Sequence, residues 1–138
     1  MIKLFDDITV LIIIYNSDQK VLNILKKLAH IKTLVVNNGR NNILINNIKK
    51  NFPSINIINN KKNIGFAKAV NFGLNIIKTK YVLLLNPDAH IDADNIVKLR
   101  ETFDEYTNTI ITVPLVFNGN IYSAEYGLLP EYSIGIKR

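Results

Sequence analysis

The stretch Ile8-Thr9-Val10-Leu11-Ile12-Ile13-Ile14-Tyr15 decides how the rest of the chain folds. It is a near-continuous β-branched run, and such side chains suit the pleated surface of a strand. A strand with one wet face alternates apolar and polar residues. A run without alternation is instead covered on both faces, as in a parallel sheet packed between helices. The run includes a threonine and falls far short of the roughly 20 apolar residues that a membrane-spanning helix needs.

Outward from this run, strands and helices alternate. Tyr15-Asn16-Ser17-Asp18 ends the strand, and Ser17 or Asp18 can cap a helix whose Val21, Leu22, Leu25 and Leu28 follow helical spacing. Thr33 to Val36 reads as a second strand, stopped by Asn37-Asn38-Gly39. Asn41 or Asn42 then opens a helix carrying Ile43, Leu44 and Ile48, with Pro53 beyond its end. Ser54 to Ile58 reads as a third strand nearer an edge. Gly65 starts or precedes a helix with Ala67, Val70, Leu74 and Ile77 on one face. Lys80 to Leu85 is the fourth strand, Asp92 or Asp94 caps a helix with Ile96, Leu99 and Phe103 inward, and Ile110 to Val113 is a fifth strand ending at Pro114. Val116 to Tyr122 reads as a hairpin around Asn118-Gly119. The pattern predicts an α/β fold: a Rossmann-like, mostly parallel sheet with helices on both faces, joined by right-handed crossovers.

The chain has 138 residues, 48% hydrophobic and 20% charged, which fits one globular domain with a real core. Phe5-Asp6-Asp7 interrupts the apolar pattern before a signal peptide could form, so a cytoplasmic location is expected. With no Cys, disulfides and thiolate metal sites are excluded, and two His cannot build a His-rich zinc cluster. The net charge of +6 is spread over isolated lysine pairs in an Asn- and Ile-rich chain, without a basic run interleaved with aromatics. Nucleic-acid binding is not expected; attraction to anionic phosphates, or peripheral contact with the inner face of a membrane, stays open.

In parallel sheets ligands bind beyond the carboxyl ends of the strands. Tyr15-Asn16, Asn37-Asn38 and Asn86-Pro87-Asp88 all fall there. Asp88 stands where the apolar run Tyr81 to Leu85 breaks into a turn, and a hard divalent cation is often held by one carboxylate together with substrate phosphates. The same residues also read as an ordinary turn followed by a helix cap at Asp92 or Asp94. No Gly-x-Gly-x-x-Gly, Walker A sequence or nucleophile elbow is present.

Four motifs in order carry a family resemblance: Val10 to Asn16, Leu34 to Asn38, Asn63-Ile64-Gly65-Phe66-Ala67 with Asn71 and Gly73, and Leu84-Leu85-Asn86-Pro87-Asp88. Over about Ile8 to Pro114 the chain resembles family 2 glycosyltransferases, and its last two motifs look most like the rhamnosyltransferase branch. The resemblance implies the nucleotide-binding half of a GT-A fold, a dTDP- or UDP-linked nucleotide-diphosphate sugar donor, and inverting transfer. By position, Tyr15 and Asn16 would line the base and ribose pocket and Asn37 would contact the base. Asn63, Gly65, Lys68 and Asn86 would lie near the donor, and Asp88 would hold Mg²⁺ or Mn²⁺. Asn37 replaces the family's usual Asp; it can still accept from a pyrimidine N–H, at roughly half the strength of a charge-assisted bond. Asn86-Pro87-Asp88 reduces an Asp-x-Asp-type motif to one acid. Lys68 also reads as a solvent-facing side chain, His90 as a structural histidine or a group beside the metal ligand, and Asn71 as a core amide with a partner or a wall of the donor pocket.

The same resemblance places the catalytic base in a later acidic motif, which this sequence lacks before Arg138, so the base is unassigned. Residues 1–114 are expected to bind the nucleotide sugar and 115–138 to begin an acceptor-side region that is cut short. Glu125 and Glu131 read as surface carboxylates, with a compact transferase using one of them as base the weaker alternative. Leu128, Leu129 and Ile134 offer a route to a homo-oligomer. The competing reading is a non-catalytic interaction module on the same fold.

Overall fold

The computed structural model describes residues 5–114, together with the backbone of residues 116–117 and 122–123. The elements in order are β1 (Ile8–Ile14), α1 (Val21–Lys27), β2 (Lys32–Asn37), α2 (Asn42–Asn51), β3 (Asn56–Asn59), α3 (Phe66–Ile76), β4 (Tyr81–Leu85) and α4 (Ala93–Glu105). The strands form one sheet in the order β3-β2-β1-β4, and every pairing is parallel. β1 is central and all seven of its residues are buried, as its unbroken apolar run requires.

The two-residue period of β1 divides the core. Ile8, Val10, Ile12 and Ile14 pack with Val21, Ile24 and Leu25 of α1, Leu44, Ile45 and Ile48 of α2, and Ile96 of α4. Leu11 and Ile13 face the other way, with Leu34 and Val36 of β2 and with Ala69 and Ile77 on or just beyond α3. At about 1.5–3 kcal/mol for each fully buried aliphatic side chain, this strand anchors the domain. Gly73 lets α3 come close: a Cβ there would lie 2.6 Å from Leu11 Cδ1.

Helix placement fixes the important feature of the topology. The chain steps from β1 to β2 to β3 with α1 and α2 on one face, then returns from β3 to β4 with α3 on the other. Reversing direction and face together keeps the crossovers of one hand. The reversal lies between β1 and β4, so their carboxyl ends flank a topological switch point, where open α/β sheets leave a crevice for ligands.

Several sequence expectations are corrected. Ile110 to Val113 forms no strand; Ile110, Ile111 and Val113 are 77%, 70% and 74% exposed, so β4 is a sheet edge among the described residues. β-propensity records a fit to a pleated, half-buried surface, and this segment has no ladder to join. On or just beyond α3, Val70, Leu74 and Ile77 pack inward as expected, but Ala67 is exposed and the closest approach to β1 is made by Ala69 and Gly73. In α2 Ile45 is buried beside the expected Leu44 and Ile48, while Ile43 is 72% exposed; in α1 Ile24 is buried and Leu22 only half-buried. Asp18 does not cap α1 directly; its Oδ1 accepts from Lys20 N at 2.7 Å, tightening the preceding turn. Asn41 does cap α2, its Oδ1 accepting from Leu44 N at 3.0 Å.

Val116–Phe117 and Tyr122–Ser123 pair antiparallel as β5 and β6 in a separate two-stranded sheet, the expected hairpin. Its Asn118-Gly119 turn lies outside the described residues, as do Glu125, Leu128, Leu129, Glu131 and Ile134. No helix among the described residues is long and apolar enough to cross a membrane.

Candidate functional site

The carboxyl ends of the four parallel strands bring the polar segments to one edge of the sheet. Register aligns them: Ile14 pairs with Asn37, Asn37 with Asn59, and Ile12 with Leu85, so Asn86 follows just beyond the last pair of β1 and β4. At the end of β1, Tyr15 is 55% exposed, and Asn16 has φ of 49°, the left-handed region that Asn tolerates better than most residues. Gly39 packs behind Asn16, and a Cβ on it would meet Asn16 N at 2.9 Å and Asn16 Oδ1 at 3.2 Å. The first and second strand ends are thus in direct contact.

The β2 end is an amide network. Asn37 and Asn38 are each 3% exposed, and buried amides must find partners. Asn37 Nδ2 donates to Asn59 Oδ1 at 3.1 Å, and Asn37 Oδ1 accepts from Gly39 N at 3.1 Å. These two bonds use one N–H and one acceptor lone pair of the Asn37 amide. Asn38 Nδ2 donates to Asn63 Oδ1 at 2.9 Å and to Gly65 O at 3.2 Å, while Asn38 Oδ1 accepts from Asn60 Nδ2 at 3.0 Å and from Ile64 N at 3.2 Å. Gly65, with φ of 84°, is the residue from which α3 starts. Lys68 and Asn71 on α3 are exposed, so Asn71 is not a core amide.

The β4 end is different. Asn86-Pro87-Asp88 closes a turn through Ala89 N donating to Asn86 O at 3.1 Å, and Asn86, Asp88 and His90 are exposed. Asp88 puts one exposed carboxylate in the turn that follows β4. No group of three or more His, Cys, Asp or Glu side chains able to hold a metal occurs among the described residues.

Sequence reasoning singled out Asn37, Asn63 and Gly65 but missed Asn59 and Asn60, which complete the network from 22 residues away in the chain. It also missed the clamp on the far side. Arg100 of α4 donates to Asp7 Oδ2 through Nε at 3.3 Å and through a terminal nitrogen at 3.2 Å, pairs with Asp104, and lies 5.5 Å from the Tyr81 ring centroid. The Asp7 carboxylate holds the guanidinium pKa above its ordinary value. Two cavities lie away from the amide-lined edge. One of about 350 Å³ is apolar, between β4, α4 and residues 110–114; one of about 880 Å³, with Asp6, Lys32, Lys78 and Lys80 on its walls, is at the opposite end of the sheet.

Comparison with known proteins agrees with this architecture. A crystal structure of S. aureus TarS 1-349 superposes with a TM-score of 0.61 at 18% identity, covering 81% of this chain and 40% of that one. A second S. aureus TarS structure gives 0.60 at 18% identity, covering 81% and 24%. The likeness shows a GT-A, Rossmann-like fold, and this chain spans less than half the length of either TarS chain. No curated protein sequence matches. The profile described as glycosyl transferase family 2 matches residues 9–135, past Pro114, where the motifs quoted above stop. The chain belongs to glycosyl transferase family 2.

Proposed function

We propose that these residues bind the donor of an inverting sugar transfer, a nucleotide-diphosphate sugar with a uracil or thymine base, in a rhamnosyltransferase-like enzyme. The observation that carries the reading is the switch point: the ends of β1 and β4 flank the place where the strand order reverses, and the β2 end touches the β1 end through Gly39 and Asn16. Exposed Tyr15 offers a ring face for the base or ribose. The spare lone pair on Asn37 Oδ1 suits a pyrimidine N–H, and its spare Nδ2 hydrogen suits a neighbouring carbonyl. Lys68, exposed on the first turn of α3, supplies a mobile positive charge for phosphate.

The donor set fits a cation only in partnership with substrate. One exposed carboxylate, Asp88, is too little for an all-protein cage, yet it matches the way Mg²⁺ or Mn²⁺ is shared between one or two carboxylates and phosphates. Such an ion, when bound, supplies Lewis-acid stabilisation of the leaving diphosphate. The chain's own part is to hold the donor. Tyr15, Asn16 and Asn37 fix the nucleoside end while Asp88 and Asn86 face the diphosphate, so that the anomeric carbon is presented to an acceptor hydroxyl on the face opposite the breaking bond. The hydroxyl proton must pass to a base, a role that none of the described residues is assigned here.

Calorimetric titration with UDP and dTDP, with and without Mg²⁺ or Mn²⁺, tests the reading. Binding strengthened by the cation is the expected result; a folded chain that takes up neither nucleotide in the presence of metal sinks it.

A further inference from the structure

We infer that Asn38 is the positioning residue of the donor site, an inference that rests on the function proposed above. Asn38 stands immediately beyond β2 and its N–H donates to Ile14 O at 2.8 Å, which ties it to the end of β1. Its side chain is 3% exposed and uses its whole capacity: two N–H to Asn63 Oδ1 and Gly65 O, and two lone pairs for Asn60 Nδ2 and Ile64 N. All four partners lie in the 60–65 connection that launches α3. One amide therefore couples the β1 end, the β2 end and the α3 start, three of the segments to which the donor is assigned.

The grip centres on Gly65. Asn38 holds its carbonyl, while Asn63 Oδ1 accepts its N–H at 2.9 Å. The φ of 84° is conformationally costly for other residues, so the first turn of α3, with Lys68, takes its direction from a backbone set by these two amides. A buried space of this size could be filled by leucine without polar cost; four directional bonds fix a geometry as well as a volume. Misplacement of about 1 Å in a binding constellation can cost around a hundredfold in rate.

The two amides differ in a way that makes the idea testable. Asn38 must donate; Asn63 is used in this network only as an acceptor. Asn38→Asp puts a carboxylate against Asn63 Oδ1 and Gly65 O, three oxygens without a hydrogen between them. Asn63 could flip to donate to the new carboxylate, but only by releasing Gly65 N–H. Asn63→Asp keeps both incoming bonds, now charge-assisted.

The experiment uses the full chain. Calorimetry with UDP and dTDP plus Mg²⁺ is run on the native protein, on Asn38→Asp, and on Thr33→Val as a destabilised control. Thr33 is buried at the opposite end of β2, where its hydroxyl donates to Ile31 O at 3.0 Å. Amide hydrogen exchange of Gly65 is followed in the native chain, Asn38→Asp and Asn63→Asp. Expected are at least a tenfold loss of nucleotide affinity in Asn38→Asp with native-like affinity in Thr33→Val, and at least tenfold faster Gly65 exchange in Asn38→Asp but not in Asn63→Asp. Equal affinity losses in Asn38→Asp and the control reduce Asn38 to a structural residue, and unchanged Gly65 exchange in Asn38→Asp overturns the grip itself. If the native chain binds neither nucleotide, the proposed function fails, and the exchange arm still decides whether Asn38 fixes the loop. Should Asn38→Asp not fold, Asn63→Ala removes from the exposed side the acceptor that orients Asn38, and exchange of Ile64, whose N–H Asn38 Oδ1 accepts, must rise tenfold there for the inference to stand.

Discussion

The ends of β2 and β4 point the same way and sit on either side of β1, yet they are built on different principles. At the end of β2, Asn37 and Asn38 are buried and bonded to Gly39, Asn59, Asn60, Asn63, Ile64 and Gly65. Beyond β4, a single backbone bond closes the Asn86-Pro87-Asp88 turn, and the carboxylate stands exposed. The strands behind them differ likewise: five of six β2 residues are buried, whereas Leu85 is the only buried residue of β4. A neutral planar base is recognised by fixed hydrogen bonds, and rigidity there lowers the entropy lost on binding. A diphosphate with its cation brings its own charge and can organise an exposed carboxylate around itself. Under the proposed function, the molecule would preorganise the side where shape and hydrogen-bond direction decide, and leave open the side where charge decides.

The sharpest way to break this comparison is to cut equivalent side chains in the two halves. Leu11 is fully buried between β1 and α3, while Leu84 on β4 is 44% exposed. Leu11→Ala is expected to destabilise by about 2–5 kcal/mol, and Leu84→Ala by less than about 1 kcal/mol, in chemical denaturation. Similar losses would show that β4 is as firmly packed as β1. Next in size is Gly39→Val. Its Cβ would meet a backbone nitrogen of Asn16 at 2.9 Å, an atom that cannot rotate away, and overpacking of this kind costs about 1–3 kcal/mol. Because Asn16 and Asn37 border the glycine, nucleotide affinity should fall with stability, whereas an equal loss from Leu11→Ala should leave affinity near native once the sample is folded.

Arg100 is what steadies the β4 side. It joins α4 to Asp7, just before β1, and packs over Tyr81 at the start of β4. Its pKa is raised by the Asp7 hydrogen bond, so on the alkaline side the stabilisation from its charge persists through the neutral range and is lost as pH climbs through the arginine value in strong alkali. With both Arg100 and Asp7 side chains about a quarter exposed, at 28% and 25%, solvent screening keeps the effect modest. Arg100→Met is expected to cost about 1 kcal/mol. Thermal unfolding at low and high salt checks it, and the difference from the native chain should shrink as salt rises.

The parts of the fold legible in the sequence are those written locally. The unbroken run from Ile8 identified the central strand, Asn41 identified a cap three residues before the amide it binds, and strand-helix alternation gave the parallel sheet. Helix faces were less legible, because an isoleucine-rich chain offers adjacent apolar stripes: Ile43 and Ile45 both look suitable, and only packing against β1 and β2 selects Ile45. Ile110 to Val113 misled for a related reason, since side-chain preference cannot create a ladder partner. The asparagines at the strand ends were visible, but their roles depend on bonds spanning 22 to 27 residues, which no local pattern encodes. One long-range fact was recoverable from strand-helix alternation alone, that the segments at Asn16, Asn37 and Asp88 share the carboxyl edge of a parallel sheet.

Asp88→Ala should have the smallest effect on stability and the greatest effect on what the comparison means. The side chain is exposed, and no hydrogen bond or ion pair within the described residues holds it, so the substitution should change stability by no more than about 0.5 kcal/mol. If the β4 side is reserved for a charged ligand, the variant should lose the increase in UDP or dTDP affinity brought by Mg²⁺ or Mn²⁺ while keeping its metal-independent binding, which rests on Tyr15, Asn16 and Asn37. Calorimetry with and without metal separates the two. Metal-stimulated binding that survived in Asp88→Ala would transfer the cation to other groups and remove the reason given for the openness of β4. Loss of metal-independent binding as well would mean that the two sides are not independent, and that the nucleoside contacts depend on a charge at the neighbouring strand end.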